Sequence, residues 1–164
     1  MRGRARATAT VGALVIAMLL TGCGTEDPVA QDLESAKRAA QQQQEAIVAL
    51  LPQELIASLE QPDTGVLMAC ESEGSAQWTG RATVVLSELP DLEATLASIA
   101  AAFEERGFAA RWDQTISGEP RVQLLGADGD SYLVSPWAEE MSIGVASASP
   151  CFPLADDEHP GLVV

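Results

Sequence analysis

Histidine and lysine are almost missing from this chain: His159 and Lys37 each stand alone among 164 residues. One histidine is too few for a zinc site, which takes four ligands, or three and a water when catalytic. It also leaves few candidates for the base that a nucleophilic serine requires. There is no glycine-rich phosphate loop, and Asp128-Gly129-Asp130 does not continue in the full pattern of a calcium-binding hand, whose sixth position must be glycine. The pairs Glu104-Glu105 and Glu139-Glu140 are adjacent, so in regular structure their carboxylates diverge. We therefore expect no metal and no cofactor. Basic residues are scarce as well. Residues 23–164 hold six of them against twenty-four acidic ones, a net charge of −18. Such a body repels anionic lipid head groups and nucleic acid, so no nucleic-acid partner is expected.

The N-terminal region has its own order. Arg2, Arg4 and Arg6 precede an apolar run from Val11 to Leu20, which is shorter than the roughly 20 residues a bilayer span needs. Leu20-Thr21-Gly22-Cys23 closes it. A basic start, a short apolar core and small residues at the end form the pattern of a secretion signal. The arginines are not adjacent, so a twin-arginine route is not indicated. The four closing residues resemble the lipobox of bacterial prolipoproteins. That resemblance implies removal of residues 1–22 and a diacylglyceryl thioether, often with an added N-acyl chain such as palmitate, on Cys23. Two or three chains anchor stably where one is marginal. The expected organisation is a signal peptide over 1–22, a lipidated anchor and spacer over 23–26, one α+β domain over 27–155 and a flexible acidic tail over 156–164. The expected location is the extracytoplasmic face of the cell membrane.

With Cys23 assigned to lipid, Cys70 and Cys151 remain as an even pair in an oxidising compartment, and a disulfide is expected. Glu71 and Glu73 beside Cys70 oppose the alternative of a reactive thiolate.

Hydrophobic spacing outlines the domain. Pro28 fits a first helical turn, and Val29, Leu33, Ala36, Ala40, Ile47 and Leu51 recur at helical steps. Gln41 to Gln44 read as a solvated face. Pro52 breaks or kinks this helix, and Leu55, Ile56 and Leu59 continue the spacing, so residues 27–61 form an N-terminal helical segment. Period-two alternation follows in Val66, Met68 and Cys70, and again in Trp78, Gly80, Ala82, Val84 and Leu86. Leu92, Leu96, Ile99 and Phe103 then mark a second helix, with Pro90 and Asp91 at its start and Gly107 as its cap. Three further strands carry Ala110, Trp112 and Ile116, then Val122 and Leu124, then Tyr132 and Val134. Ser117-Gly118-Glu119-Pro120 and Ala127-Asp128-Gly129-Asp130 join them with hairpin chemistry. A last strand runs from Met141 to Ser147. The order α-β-β-α-β-β-β(-β) predicts an α+β two-layer sandwich, an antiparallel sheet of five or six strands with two helices on one face. A helix after the anchor, a mixed body and Ser149-Pro150-Cys151 near the end also resemble the small lipoproteins of high-GC Gram-positive bacteria.

Two places invite a chemical reading. Gly129-Asp130-Ser131 has the opening residues of GDS-type esterases, but it falls between two strand patterns and His159 is not in the Asp-x-x-His arrangement of those enzymes. Trp78, Trp112, Tyr132 and Trp137 are the large amphipathic aromatics, and Trp137 after Pro136 is the one expected at the surface. The leading expectation is a non-enzymatic binding or envelope-accessory module. It is held to the membrane through lipid on Cys23, with an envelope protein or small ligand as partner. An envelope hydrolase using Ser131, or a small-ligand carrier with a pocket between helix and sheet, is the alternative.

Overall fold

The computed structural model describes residues 32–164. The signal segment, Cys23, the spacer and the expected helix start at Asp27 and Pro28 lie outside them. Asp32 caps helix α1 (Leu33–Val48) by accepting from the Ser35 amide at 2.8 Å, while the Ser35 hydroxyl accepts from the Asp32 amide in return. Ala36, Ala40, Gln44, Ile47 and Val48 form its buried stripe. Gln44 corrects the expectation of a solvated amide face, being 0 % exposed. Its Nε2 donates to Ser147 Oγ at 2.7 Å, its Oε1 accepts from Gln61 Nε2 at 2.8 Å, and Ser147 Oγ donates to the Gly80 carbonyl at 3.3 Å. A buried amide is tolerated when its donors and acceptors are filled, and this relay fills them. Gln44→Leu keeps the volume but leaves Ser147 Oγ without its donor. We expect a loss of about 2 kcal/mol in denaturant unfolding.

The residues after α1 are not helical. Gln53–Leu55 form a single 3-10 turn and Ile56–Glu60 become strand β1, which corrects the expected helical segment to 61. Leu55, Ile56 and Leu59 suit either state locally, and pairing decides: β1 runs antiparallel to the distal half of a long strand, with Ile56 opposite Leu86 and Leu59 opposite Val84. That long strand is β3 (Ser75–Leu86). Its proximal half pairs β2 (Val66–Ala69) on one side and β8 (Phe152–Pro153) on the other.

Helix α2 (Leu92–Glu104) begins at Asp91, whose carboxylate accepts from the Ala94 amide at 3.0 Å, and buries Leu96, Ile99, Ala100 and Phe103. Gly107 follows with φ +92°, the left-handed region glycine enters without strain. Strands β4 (Ala109–Gln114), β5 (Pro120–Leu125), β6 (Ser131–Trp137) and β7 (Ser142–Ala148) complete an antiparallel sheet of eight strands. Its order is β1-β3-β7-β6-β5-β4, with β2 and β8 flanking the start of β3. The α+β sandwich is as expected, with β1 and β8 additional to the anticipated strands. Ile116 and Met141 fall in turns rather than strands, Met141 at φ +47°.

Both helices lie on one face of the sheet: α1 packs on β3 and β7, and α2 on β4 and β5. The main core gathers Val84, Leu86, Ile99, Phe103, Leu124, Tyr132 and Ile143 beneath them. A second cluster of Ala36, Ala40, Leu67, Ala76, Trp78 and Phe152 sits under the N-terminal half of α1. Cys70 and Cys151 are disulfide-bonded beside that cluster, spanning the start of β3.

Residues 156–164 were expected as a flexible tail, and the fold uses them otherwise. The Gly65 and Leu67 amides donate to the carbonyls of Val164 and Leu162 at 2.6 and 3.0 Å, and Val163 bridges Val66. Leu162 and Val164 pack against the second cluster. The outer edge of β2 supplies unpaired backbone groups, and this short apolar end satisfies them. Among the described residues no helix is long and apolar enough to cross a membrane.

Candidate binding face

Among the described residues no element covers the face of the sheet opposite the helices. Strand alternation sends Thr79, Arg81 and Thr83 of β3 to it, together with Arg121 and Gln123 of β5, Arg111 and Asp113 of β4, and Leu133, Ser135 and Trp137 of β6. Strand β7 contributes only small side chains there: Ser142, Gly144, Ala146 and Ala148. A central strand without bulk lowers the floor between its neighbours, and three hollows open along this face. The largest, about 570 Å³, lies between Val66, Met68, Arg81, Leu133 and Ala148. One of about 200 Å³ is set between Arg81, Arg121, Leu133 and Trp137, and one of about 310 Å³ between Arg111, Asp113 and Gln123.

The charge on this face departs from the rest of the molecule. Three of the six basic residues from position 23 onward, Arg81, Arg111 and Arg121, share it. The others are engaged elsewhere: Lys37 with Asp63, Arg38 with Glu34, and Arg106 over the Phe103 ring. Among the described residues Arg81 and Arg111 form no ion pair. Arg121 Nη2 donates to Asp113 Oδ2 at 2.6 Å, while its Nε is buried without a partner among the described residues.

The Arg121 hydrogen bond, helped by the Gln114 amide, holds the Asp113 carboxyl below its usual range. A depressed folded pKa stabilises above the unfolded value near about 4, and that contribution is lost as pH falls through the folded value. Asp113→Asn should therefore flatten the acid limb of a stability-against-pH curve below about pH 4 and leave the neutral region nearly unchanged, as an exposed pair implies.

Trp137 is 45 % exposed, and a Cβ built on Gly144 would come within 3.2 Å of its indole. Trp78 and Tyr132 are buried, whereas Trp112 at the β4 edge is half exposed. Trp137 is thus at the surface as expected, and strand alternation puts it on the open face. The arginines were not singled out in the sequence, although alternation within each strand was enough to assign their side.

Ser131 opens β6 directly after a hairpin turn in which Gly129 has φ +90°. It lines the largest hollow beside Thr79 and Arg81. Burial pushes the preceding Asp130 carboxyl up, with the neighbouring Tyr132 hydroxyl acting the other way. His159 lies in the C-terminal segment, its Nδ1 3.1 Å from the Pro160 carbonyl. No group of three potential metal ligands occurs among the described residues. No family model, curated protein or solved structure matches this chain.

Proposed function

We propose that this protein is a lipid-anchored binding module on the extracytoplasmic face of the cell membrane, tethered through Cys23 and engaging its partner with the open face of the sheet. The observation that carries the binding role is that face: a β-sheet surface with a sunken floor and exposed Trp137, where among the described residues nothing covers the sheet and two arginines form no ion pair. Tryptophan and arginine are the residue types that most often dominate binding energy, and an uncovered apolar area with a polar rim marks an interaction site. The tether rests on the sequence around Cys23, and the body's net charge of −18 keeps the domain off an anionic surface.

Two measurements test this reading. Intact-mass analysis of protein from membranes should show residues 1–22 removed and acyl mass on Cys23, and Cys23→Ser should release the domain. A chain retaining residues 1–22 with free sulfur at Cys23 would end the tether. For the binding role, Leu133→Glu with Trp137→Ala should strip co-purifying partners from gentle membrane extracts at unchanged melting temperature. An unchanged partner set would remove the face from consideration. Loss of an envelope hydrolase activity on Ser131→Ala, with the fold intact, would replace the reading by an enzymatic one.

A further inference from the structure

Registers across the sheet place the arginines with respect to one another. Arg81, Ala146, Leu133, Gln123 and Arg111 are successive partners on β3, β7, β6, β5 and β4, so they form one row running across the strands. Four strand spacings put the ends of that row about 19 Å apart at the backbone. Arg121 stands two residues from Gln123 on the same face, with its Nε unpartnered among the described residues. The row is cationic at both ends and apolar to neutral in the middle.

We propose that the open face receives an extended acidic segment of another protein, laid across the strands. Its carboxylates meet Arg81 and Arg111, and an apolar side chain between them rests on Leu133 and Ala146. The proposal rests on reading this face as a docking surface and names what docks. Charge complementarity selects the sign: Arg81 and Arg111, without an ion pair among the described residues, gather here on a chain whose residues from 23 onward have a net charge of −18. The middle of the row selects the polymer. A phosphodiester chain or an anionic lipid surface presents charge at every repeat, so it would set charge on Leu133 and extend past the row over the acidic remainder of the body. An extended peptide advances about 3.3 Å per residue, so side chains about six residues apart span the row with an uncharged stretch between them. The composition agrees: arginine, tryptophan and methionine are enriched in protein interfaces and lysine and glutamate depleted, and Arg81, Arg111, Arg121, Trp137 and Met68 line this face. Guanidinium groups also hold carboxylates through two parallel hydrogen bonds, which fixes register as well as charge.

The test uses the purified full chain and a fluorescent synthetic peptide carrying two glutamates six residues apart, with a leucine two residues inward from each so that all four share one face of the extended chain, and a glutamine-for-glutamate peptide as control. In parallel, random dodecapeptides are selected on the wild type and on Arg81→Ser/Arg111→Ser. The expected results are at least about tenfold tighter binding of the glutamate peptide, weakening with salt, and loss of that preference in the double variant. Tighter binding to Asp113→Asn, which frees Arg121, and enrichment of paired acidic residues on the wild type alone are also expected. Equal binding of the two peptides, or equal selection on both proteins, overturns the proposal. Tighter binding of inorganic polyphosphate or monomeric dihexanoyl phosphatidylglycerol than of any selected peptide does the same and names another anion. If the acidic preference fails while Leu133→Glu with Trp137→Ala still strips partners, docking stands and only the ligand chemistry falls. If neither set of variants changes binding, both fall.

Discussion

Replacing Cys70 and Cys151 together by serine should lower the unfolding free energy by about 4.5 kcal/mol, the chain-entropy value for opening a loop of about 80 residues. The bond joins positions separated by 81 residues, so the loop it closes contains most of the sheet and all of α2. Net stabilities of small domains are roughly 5–15 kcal/mol, which makes this a large share of the total. Most of the effect acts on the unfolded chain, whose freedom the crosslink restricts. Denaturant titration should therefore show a lower midpoint together with a steeper dependence on denaturant, because the uncrosslinked chain exposes more surface when it unfolds. Reducing the wild type should reproduce both changes. A midpoint indifferent to reductant would mean that β2 and β8 are held in place by packing and backbone pairing alone.

The disulfide was legible from counting cysteines once Cys23 was set apart, and the main hydrophobic stripes were legible from their periods. Leu96, Ile99 and Phe103 on α2, and Trp78, Ala82, Val84 and Leu86 on β3, are buried as their spacing requires. What stayed hidden depended on partners distant in the chain. Ile56–Glu60 has a pattern compatible with a helix and becomes a strand because β3 offers an edge. Residues 156–164 lack any periodicity of their own, and become ordered on the free side of β2 by backbone hydrogen bonds that no side-chain pattern announces. Gln44 reads as solvated within a glutamine run, and only the three-dimensional placement of Ser147 and Gln61 explains its burial. The binding face shows the same division. Each arginine's side of its strand follows from alternation, but the row from Arg81 to Arg111 exists only through the sheet order, which the sequence does not reveal.

Trp78→Ala is expected to cost about 4 kcal/mol, within the range for emptying an aromatic site in a packed interior. The ring is fully buried in the second cluster, where Ala36 and Ala40 of α1 are small enough to admit it. Backbone closeness shows how tightly it is held. A Cβ on Gly80 would lie 2.1 Å from Trp78 Cη2, and one on Gly65 would lie 2.4 Å from Cε2 and Nε1. Both glycines are therefore fixed by the indole, and Gly80→Ala should itself lose about 1–3 kcal/mol through forced displacement of the ring. Trp78→Phe gives a different result, about 1–2 kcal/mol, because it surrenders volume but also removes an indole N–H that has no partner among the described residues. That order of losses, alanine above phenylalanine, separates a packing role from a hydrogen-bonding one. The same cluster holds Leu67 and Phe152, which lie on the strands β2 and β8 bordering the disulfide, so the two largest perturbations share a neighbourhood. Combined, Trp78→Ala and loss of the disulfide should destabilise by about 1 kcal/mol less than the sum of their separate effects, since either one already loosens β2 and β8. Strict additivity in that cycle would show that the crosslink acts on the unfolded chain alone and contributes nothing to how the indole is packed.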